Sequence, residues 1–100
     1  MTVQVDPEGT EARALRRYAD LDPETTRVLE VGCGDGRLTW GYANRVHRVA
    51  GIDLEADDLR VATIERPANM AERISFVRAD AVHLPFANDS FDLAIFAWSF

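Results

Sequence analysis

The sequence predicts an α/β fold in which a parallel sheet is covered by helices, and three observations lead to this prediction. Short runs of apolar and β-branched residues alternate with stretches whose apolar residues recur every third or fourth position. A cluster of three glycines follows directly after the first of these runs. Residues 93–97 are apolar throughout, as is typical of a strand that is buried on both faces. Strands and helices that alternate in this order form right-handed βαβ units, and such units build a parallel sheet.

Each predicted element has its own signal in the sequence. Ala14, Leu15 and Tyr18 recur at helical spacings, and the pattern ends before Pro23. Residues 27–31 form a short apolar run that glycines terminate, which predicts a buried strand. The complete prediction, in chain order, is a helix at 11–21, a strand at 27–31, a helix at 37–46, a strand at 48–53, a helix at 56–65 and strands at 74–79 and 91–98.

Length and composition restrict the class of protein. One hundred residues, 47% of them hydrophobic, suffice for one domain with a single core, in which residues 1–26 are an N-terminal helical segment and residues 27–100 contain the motifs. The net charge of -6 argues against a nucleic-acid partner. No apolar stretch approaches the roughly 20 residues of a membrane span, so no membrane partner is expected. Cys33 is the only cysteine, which excludes an internal disulfide, gives no metal cluster and favours the cytoplasm.

The glycine-rich loop lies where a parallel sheet binds ligands, beyond the carboxyl end of a strand. Glycines 32, 34 and 36 permit a sharp turn and bring backbone N–H groups close to a ligand. The helix that begins near Arg37 would direct its positive end toward the same point. From these residues we expect the loop to hold a carboxylate.

Two acidic residues follow later strands at the same edge. Asp53 comes about 20 residues after Gly32, the offset at which a carboxylate accepts hydrogen bonds from a ribose diol and repels a ribose phosphate. Asp80 follows the third strand and is placed to accept a hydrogen bond from an adenine amine. Plainer roles stay open, since Asp53 also suits a helix N-cap and Asp80 an ordinary turn. An unphosphorylated adenine nucleoside is the expected ligand.

The motifs resemble those of one enzyme family at several points. Residues 30–36, E-V-G-C-G-D-G, resemble the E-x-G-x-G-x-G signature of class I S-adenosylmethionine-dependent methyltransferases, close to the type 11 group that acts on small molecules. Further similar segments occur in the family's order, namely G-I-D at 51–53, A-D-A at 79–81, L-P-F at 84–86 and S-F-D-L at 90–93. The resemblance extends from about residue 27 to residue 100.

The resemblance implies a fold, a cofactor and a set of contacts. The fold is a Rossmann-like three-layer sandwich with four parallel strands in the order 3-2-1-4, truncated relative to the family's seven-stranded sheet. The cofactor is S-adenosylmethionine, and a small molecule accepts the methyl group. The first part of the loop would line the methionine moiety, Asp53 would hold the ribose, and Asp80 with Ala81 would frame the adenine. Glu30 and Asp35 would order the loop or approach the amino end of the cofactor. The implied cofactor contacts are Glu30, Gly32, Cys33, Gly34, Asp35, Gly36, Asp53, Leu54, Asp80, Ala81 and Ala97, with no catalytic residue identified.

The truncation has a consequence for the fourth strand. In the family this strand is central, so its unbroken apolar run would be exposed at an open edge if the sheet ended there. We therefore expect either that the chain is part of a longer protein or that this strand pairs with a second copy in a homo-oligomer or with a partner chain.

Two other functions are compatible with the same pattern. A nicotinamide-dependent oxidoreductase shares the sheet and the ribose acid, but its G-x-G-x-x-G fingerprint counted from Gly32 requires a small residue where Arg37 stands. A non-catalytic interaction module with a methyltransferase-like fold is the other alternative, and it predicts weak cofactor affinity.

Overall fold

The computed structural model describes residues 2–6, 21–80, 82–83 and 90–97. The strands are β1 (Thr2–Asp6), β2 (Arg27–Val31), β3 (Arg48–Asp53), β4 (Ile74–Arg78) and β5 (Leu93–Ala97). The helices are α1 (Arg37–Tyr42) and α2 (Ala56–Glu65), with 3-10 turns at Ala43–Arg45 and Ala68–Met70. The helix predicted at 11–21 lies outside the described residues except for Leu21.

The strands form one parallel sheet in the order β1-β5-β2-β3-β4. The four strands that the sequence predicts are β2, β3, β4 and β5, and their order is the predicted 3-2-1-4. The first helix is shorter than predicted, because the chain after Tyr42 tightens into the 3-10 turn. Among the described residues, neither helix is long and apolar enough to cross a membrane.

The edge of β5 is not open, and the expectation that it is exposed is wrong. β1 pairs with β5 along its whole length, with Thr2 opposite Leu93 and Asp6 opposite Ala97. β5 therefore lies between two strands, and a second copy is not needed to cover its edge. Within the segment 1–26, residues 2–6 are therefore a strand and not part of a helix, while residues 7–20 lie outside the described residues.

Apolar side chains fill both faces of the sheet, as the continuous apolar runs predict. One cluster combines the strand residues Val28, Val49 and Ile95 with Tyr42 and Val46 from the segment that crosses over them. The opposite face holds a smaller cluster of Leu29, Ala50 and Ile52. The amino half of β5 is the most deeply buried part of that strand, at 3% exposure or less for Leu93, Ala94 and Ile95.

An ion pair ties β2 to the start of β5 at the amino edge of the sheet. Asp92 accepts hydrogen bonds from the Arg27 backbone N–H at 2.8 Å and from its guanidinium at 3.1 Å, and it returns its own N–H to the Arg27 carbonyl. These hydrogen bonds, the guanidinium bonds above all, lower the pKa of Asp92 below its usual value.

We expect Asp92→Asn to lower the free energy of unfolding near pH 7, because it removes the ion pair with Arg27. The loss should be only about 0.5–1 kcal/mol, since both side chains are almost half exposed and solvent weakens their attraction. A carboxylate with a lowered folded-state pKa stabilises the fold above its unfolded pKa and stops doing so as the pH falls through the folded value. The difference between wild type and variant should therefore shrink below the ordinary pKa of 3.8. Urea unfolding of both proteins at several pH values measures this difference in stability. A difference that stays the same at low pH would contradict a stabilising ion pair between Asp92 and Arg27.

Candidate functional site

The carboxyl edge of the sheet brings together most of the residues that the sequence singles out. The glycine loop follows β2, Asp53 ends β3 and Leu54 follows it, Asp80 follows β4 and Ala97 ends β5. Register explains their proximity, since Val31 lies opposite Ile52 on one side and Phe96 on the other. Ala81 lies outside the described residues.

The backbone N–H groups of the loop point into the protein. Gly32 and Cys33 both donate to the Ile52 carbonyl, at 2.8 and 3.1 Å, and Gly36 donates to the Cys33 carbonyl. Gly34 donates to the Asp53 carboxylate at 2.8 Å. For these four groups, the expectation that the loop directs its N–H donors at a ligand is wrong. The helix that follows, α1, has six residues, and its N-cap, Gly36, provides no side-chain hydrogen bond.

The conformation and the surroundings of Gly32 both require glycine. Its φ is +78°, and a Cβ at this position would collide with the carbonyl oxygen of Ala97. The loop therefore passes directly against the end of β5. Gly34 also has a positive φ, +56°, but no atom lies within 4 Å of where its Cβ would be. The loop is thus tightly packed at its start and open at its middle.

Asp53 connects the loop to the next strand. One carboxylate oxygen accepts the Gly34 N–H and the other accepts the Glu55 N–H at 2.9 Å. The second bond forms a turn just before α2, whose N-cap is Glu55, so Asp53 is not the N-cap that the sequence left open. An ionised carboxylate has about four acceptor positions, so about two stay available to hydroxyl groups. The two backbone bonds of Asp53 are therefore compatible with its expected role as a ribose acceptor.

Glu30 lies beneath the loop and not at the edge. Its side chain is completely buried, on the face of β2 that α1 covers. One carboxylate oxygen accepts hydrogen bonds from the hydroxyls of Thr39, at 3.0 Å, and Tyr42. Burial and the neighbouring Glu30 raise the pKa of Tyr42 well above its ordinary value. These contacts match the loop-ordering role implied for Glu30.

Thr39 and Tyr42 are functional partners that the sequence analysis did not identify. They lie three positions apart on α1, so both face the sheet, and both are buried. The sequence signal for this contact is a pair of hydroxyl side chains on the core-facing side of a short helix, which comes soon after a strand that contains an acidic residue.

Asp35 and Cys33 also have local roles. Asp35 accepts hydrogen bonds from the backbone and guanidinium of Arg37, at 3.3 and 3.2 Å, and so orders the start of α1. The Cys33 side chain is 5% exposed. Burial, followed by the nearby carboxylates, raises the pKa of this thiol, which favours a packing role over a nucleophile.

Asp80 has the contacts of a turn residue. Its carboxylate accepts the Val82 N–H at 2.7 Å, and its carbonyl accepts the His83 N–H at 3.1 Å. The neighbouring apolar side chains of Leu54 and Val82 are 59% and 81% exposed. Exposed apolar side chains beside carboxylates suit the flat face of an aromatic base whose polar groups reach the acids.

The edge as a whole offers hydrogen-bond acceptors. Its carboxylates belong to Asp35, Asp53 and Asp80, while four loop N–H donors are already engaged within the protein. A ligand that binds here is expected to bring donors, such as hydroxyls, amines or an ammonium group. A diphosphate would face carboxylates without the usual donors.

Comparison with known proteins agrees with this chemistry. A model of the methyltransferase domain family matches residues 28–100. Methyltransferase GfsG of Streptomyces halstedii is 38% identical over 93 residues, which are 88% of this chain and 34% of that protein. The fatty-acid O-methyltransferase of Mycolicibacterium smegmatis is 40% identical over 98 residues, with 86% and 34% covered.

Solved structures extend the similarity to the fold. The YcgJ protein of Bacillus subtilis superposes with a TM-score of 0.75 at 26% identity, covering 85% of this chain and 36% of that chain. A methyltransferase from Mesorhizobium loti superposes with a TM-score of 0.69 at 31% identity, covering 89% and 40%. The chain spans about a third of the length of the curated relatives. Because the family model matches most of its residues, the chain belongs to the class I S-adenosylmethionine-dependent methyltransferases.

Proposed function

We propose that this chain forms the S-adenosylmethionine-binding part of a methyltransferase that acts on a small molecule. The observation that carries the proposal is the acceptor-rich carboxyl edge, in which the loop N–H groups turn inward and Asp53 remains half-exposed. S-adenosylmethionine carries a sulfonium, an ammonium group, two ribose hydroxyls and an adenine amine, together with one carboxylate. The ammonium, hydroxyl and amine groups need acceptors, and the carboxylates of the edge fit these groups of the cofactor.

The proposed contacts follow from position along the edge. Asp53 would accept the ribose hydroxyls with the acceptor positions that Gly34 and Glu55 leave available. Leu54 and Val82 would cover the faces of the adenine, with Asp80 near its amine. Gly32 and Ala97 would form the floor beside the methionine moiety, since the backbone is closest there.

The contribution of the protein to catalysis is positioning. The cofactor supplies an electrophilic methyl group on a sulfonium sulfur, which is the reactive part of the chemistry. This chain holds the ligand at a rigid sheet edge, with Glu30 fixing α1 and Asp53 fixing the loop. Alignment of reacting groups in this way provides a large part of an enzymatic rate.

The nature of the acceptor is inferred from relatives. The M. smegmatis relative is named for fatty acids, and a Porphyromonas gingivalis relative, 33% identical, is named for demethylmenaquinone. Both names describe small molecules, which supports a small acceptor here. We also propose a cytoplasmic location, consistent with a single, buried cysteine.

Chemistry other than methyl transfer occurs on this fold. The [4+2]-cyclase SpnF superposes with a TM-score of 0.73 at 26% identity. Cofactor binding and methyl transfer are therefore tested separately, and the experiment on this chain is a test of cofactor binding.

Asp53→Ala is expected to weaken S-adenosylhomocysteine binding by about 1–3 kcal/mol, because it removes the ribose acceptor. Isothermal titration calorimetry measures the change, with Asp57→Asn as the control, since Asp57 is an exposed acid of the next turn that pairs with Arg60. Titration with NAD tests the oxidoreductase alternative. Binding of NAD but not of S-adenosylhomocysteine would overturn the proposal, and binding of neither would favour the interaction module.

A further inference from the structure

Two aromatic side chains lie near the glycine loop. One packs on the last glycine of the loop, and the other packs on a glycine of β3, the neighbouring strand. The Trp40 ring lies against Gly36, where a Cβ would come within 2.6 Å of it. Trp40 and Phe76 meet edge to face, with ring centroids 5.8 Å apart and an interplanar angle of 85°. Phe76 in turn lies against Gly51, where a Cβ would come within 2.9 Å of its ring.

The contacts close into a ring that returns to the loop. The Cys33 sulfur packs on the same Gly51, with a Cβ-to-sulfur separation of 2.9 Å if Gly51 had a side chain. Gly36, Trp40, Phe76, Gly51 and Cys33 are therefore linked in sequence, and Cys33 and Gly36 are the two sides of the loop. The absence of side chains at both glycines is what lets this ring close.

We propose that Trp40 and Phe76 are positioning residues that set the shape of the glycine loop for cofactor binding. The Asp53 hydrogen bond holds the middle of the loop at Gly34. The end of the loop has no side-chain cap at Gly36, so Trp40 is the side chain that packs on it. Because Phe76 belongs to β4, its edge-to-face contact with Trp40 fixes the end of the loop relative to that strand.

This inference rests on the proposed function, and Trp40→Leu tests it. The substitution keeps an apolar residue on α1 but removes the ring that spans Gly36 and Phe76. We expect the affinity for S-adenosylhomocysteine, measured by calorimetry, to fall roughly tenfold, because small displacements of a binding loop have large effects. Trp40→Phe, which retains an aromatic edge, should recover most of the loss.

Ile74→Ala is the matched control for a general loss of packing. Ile74 is 2% exposed, belongs to the same core cluster and lies two residues before Phe76 on the same face of β4. It contacts the core at the amino end of the strand, away from the glycine loop, so Ile74→Ala should lower the melting temperature while changing the affinity less than about twofold. Equal losses of affinity in Trp40→Leu and Ile74→Ala, or a loss in neither, would overturn the proposal.

A second readout does not depend on the cofactor. In the ligand-free protein, hydrogen exchange of the loop amides 33–36 should be faster in Trp40→Leu than in Ile74→Ala at matched stability. If wild-type protein binds no S-adenosylhomocysteine, the proposed function fails while this exchange comparison still decides the role of Trp40. If Trp40→Leu does not fold, Phe76→Leu provides the same comparison with a smaller change.

Discussion

Glu30→Ala should lower the free energy of unfolding by about 2–5 kcal/mol, a large effect for one substitution. The carboxylate is completely buried and accepts hydroxyl hydrogen bonds from Thr39 and Tyr42. Its removal leaves both hydroxyls without their acceptor and opens a cavity between β2 and α1. Small domains have about 5–15 kcal/mol in total, so the variant should approach the limit of folding. Urea unfolding followed by circular dichroism measures the change.

Milder variants separate the hydrogen bonds from the cavity. Tyr42→Phe removes one donor to a buried carboxylate and should cost about 1.5–3 kcal/mol. In a double-mutant cycle with Glu30→Gln, the two effects should be less than additive, since the residues share one bond. Glu65→Ala, an exposed acid at the end of α2, should change stability by less than about 0.5 kcal/mol. A cost below about 1 kcal/mol for Glu30→Ala would contradict the buried-anchor assignment.

Gly32→Ala is expected to have the largest effect on the binding site. The new Cβ would meet the Ala97 carbonyl oxygen, and the residue would have to keep a φ of +78°. The left-handed conformation costs an alanine about 1–2 kcal/mol, and the collision adds about 1–3 kcal/mol more. Either the start of the loop or the end of β5 must move, so binding of S-adenosylhomocysteine should be lost together with stability.

Gly34→Ala is the natural comparison because it lies in the same loop and also has a positive φ. Open space surrounds its Cβ position, so only the conformational cost of about 1–2 kcal/mol applies. Calorimetry and thermal unfolding of the two variants should therefore show a clearly larger effect at Gly32. Equal effects would mean that the contact with Ala97 is unimportant.

Local sequence patterns were sufficient for several elements. The bounds of β2, β3 and α2 agree with the prediction, because each is a run of consecutive residues with one period and a clear terminator. β1 was not predicted. Like β2 it has five residues, but its two valines alternate with polar residues and form no continuous apolar run. It is defined by pairing with β5, which lies about ninety residues away along the chain.

Only part of the candidate site could be predicted from the sequence. The sequence places the glycines at 32, 34 and 36 and the acid Asp53 at the ligand edge, since they lie at the carboxyl ends of predicted strands. The direction of the loop N–H groups could not be predicted in this way, because it depends on the Ile52 carbonyl and the Asp53 carboxylate, which reach the loop from β3.

The sequence by itself determined the α/β class and the position of the candidate ligand edge, because these depend on period, turn residues and the handedness of connections. The order of β2, β3, β4 and β5 came from the family resemblance. Only the tertiary structure decided that β5 is covered by β1, that Glu30 is an internal anchor and that Trp40 packs between Gly36 and Phe76. These three facts join residues that are distant in the chain. Such contacts depend on sheet register and on which face each side chain occupies, and no local pattern contains that information.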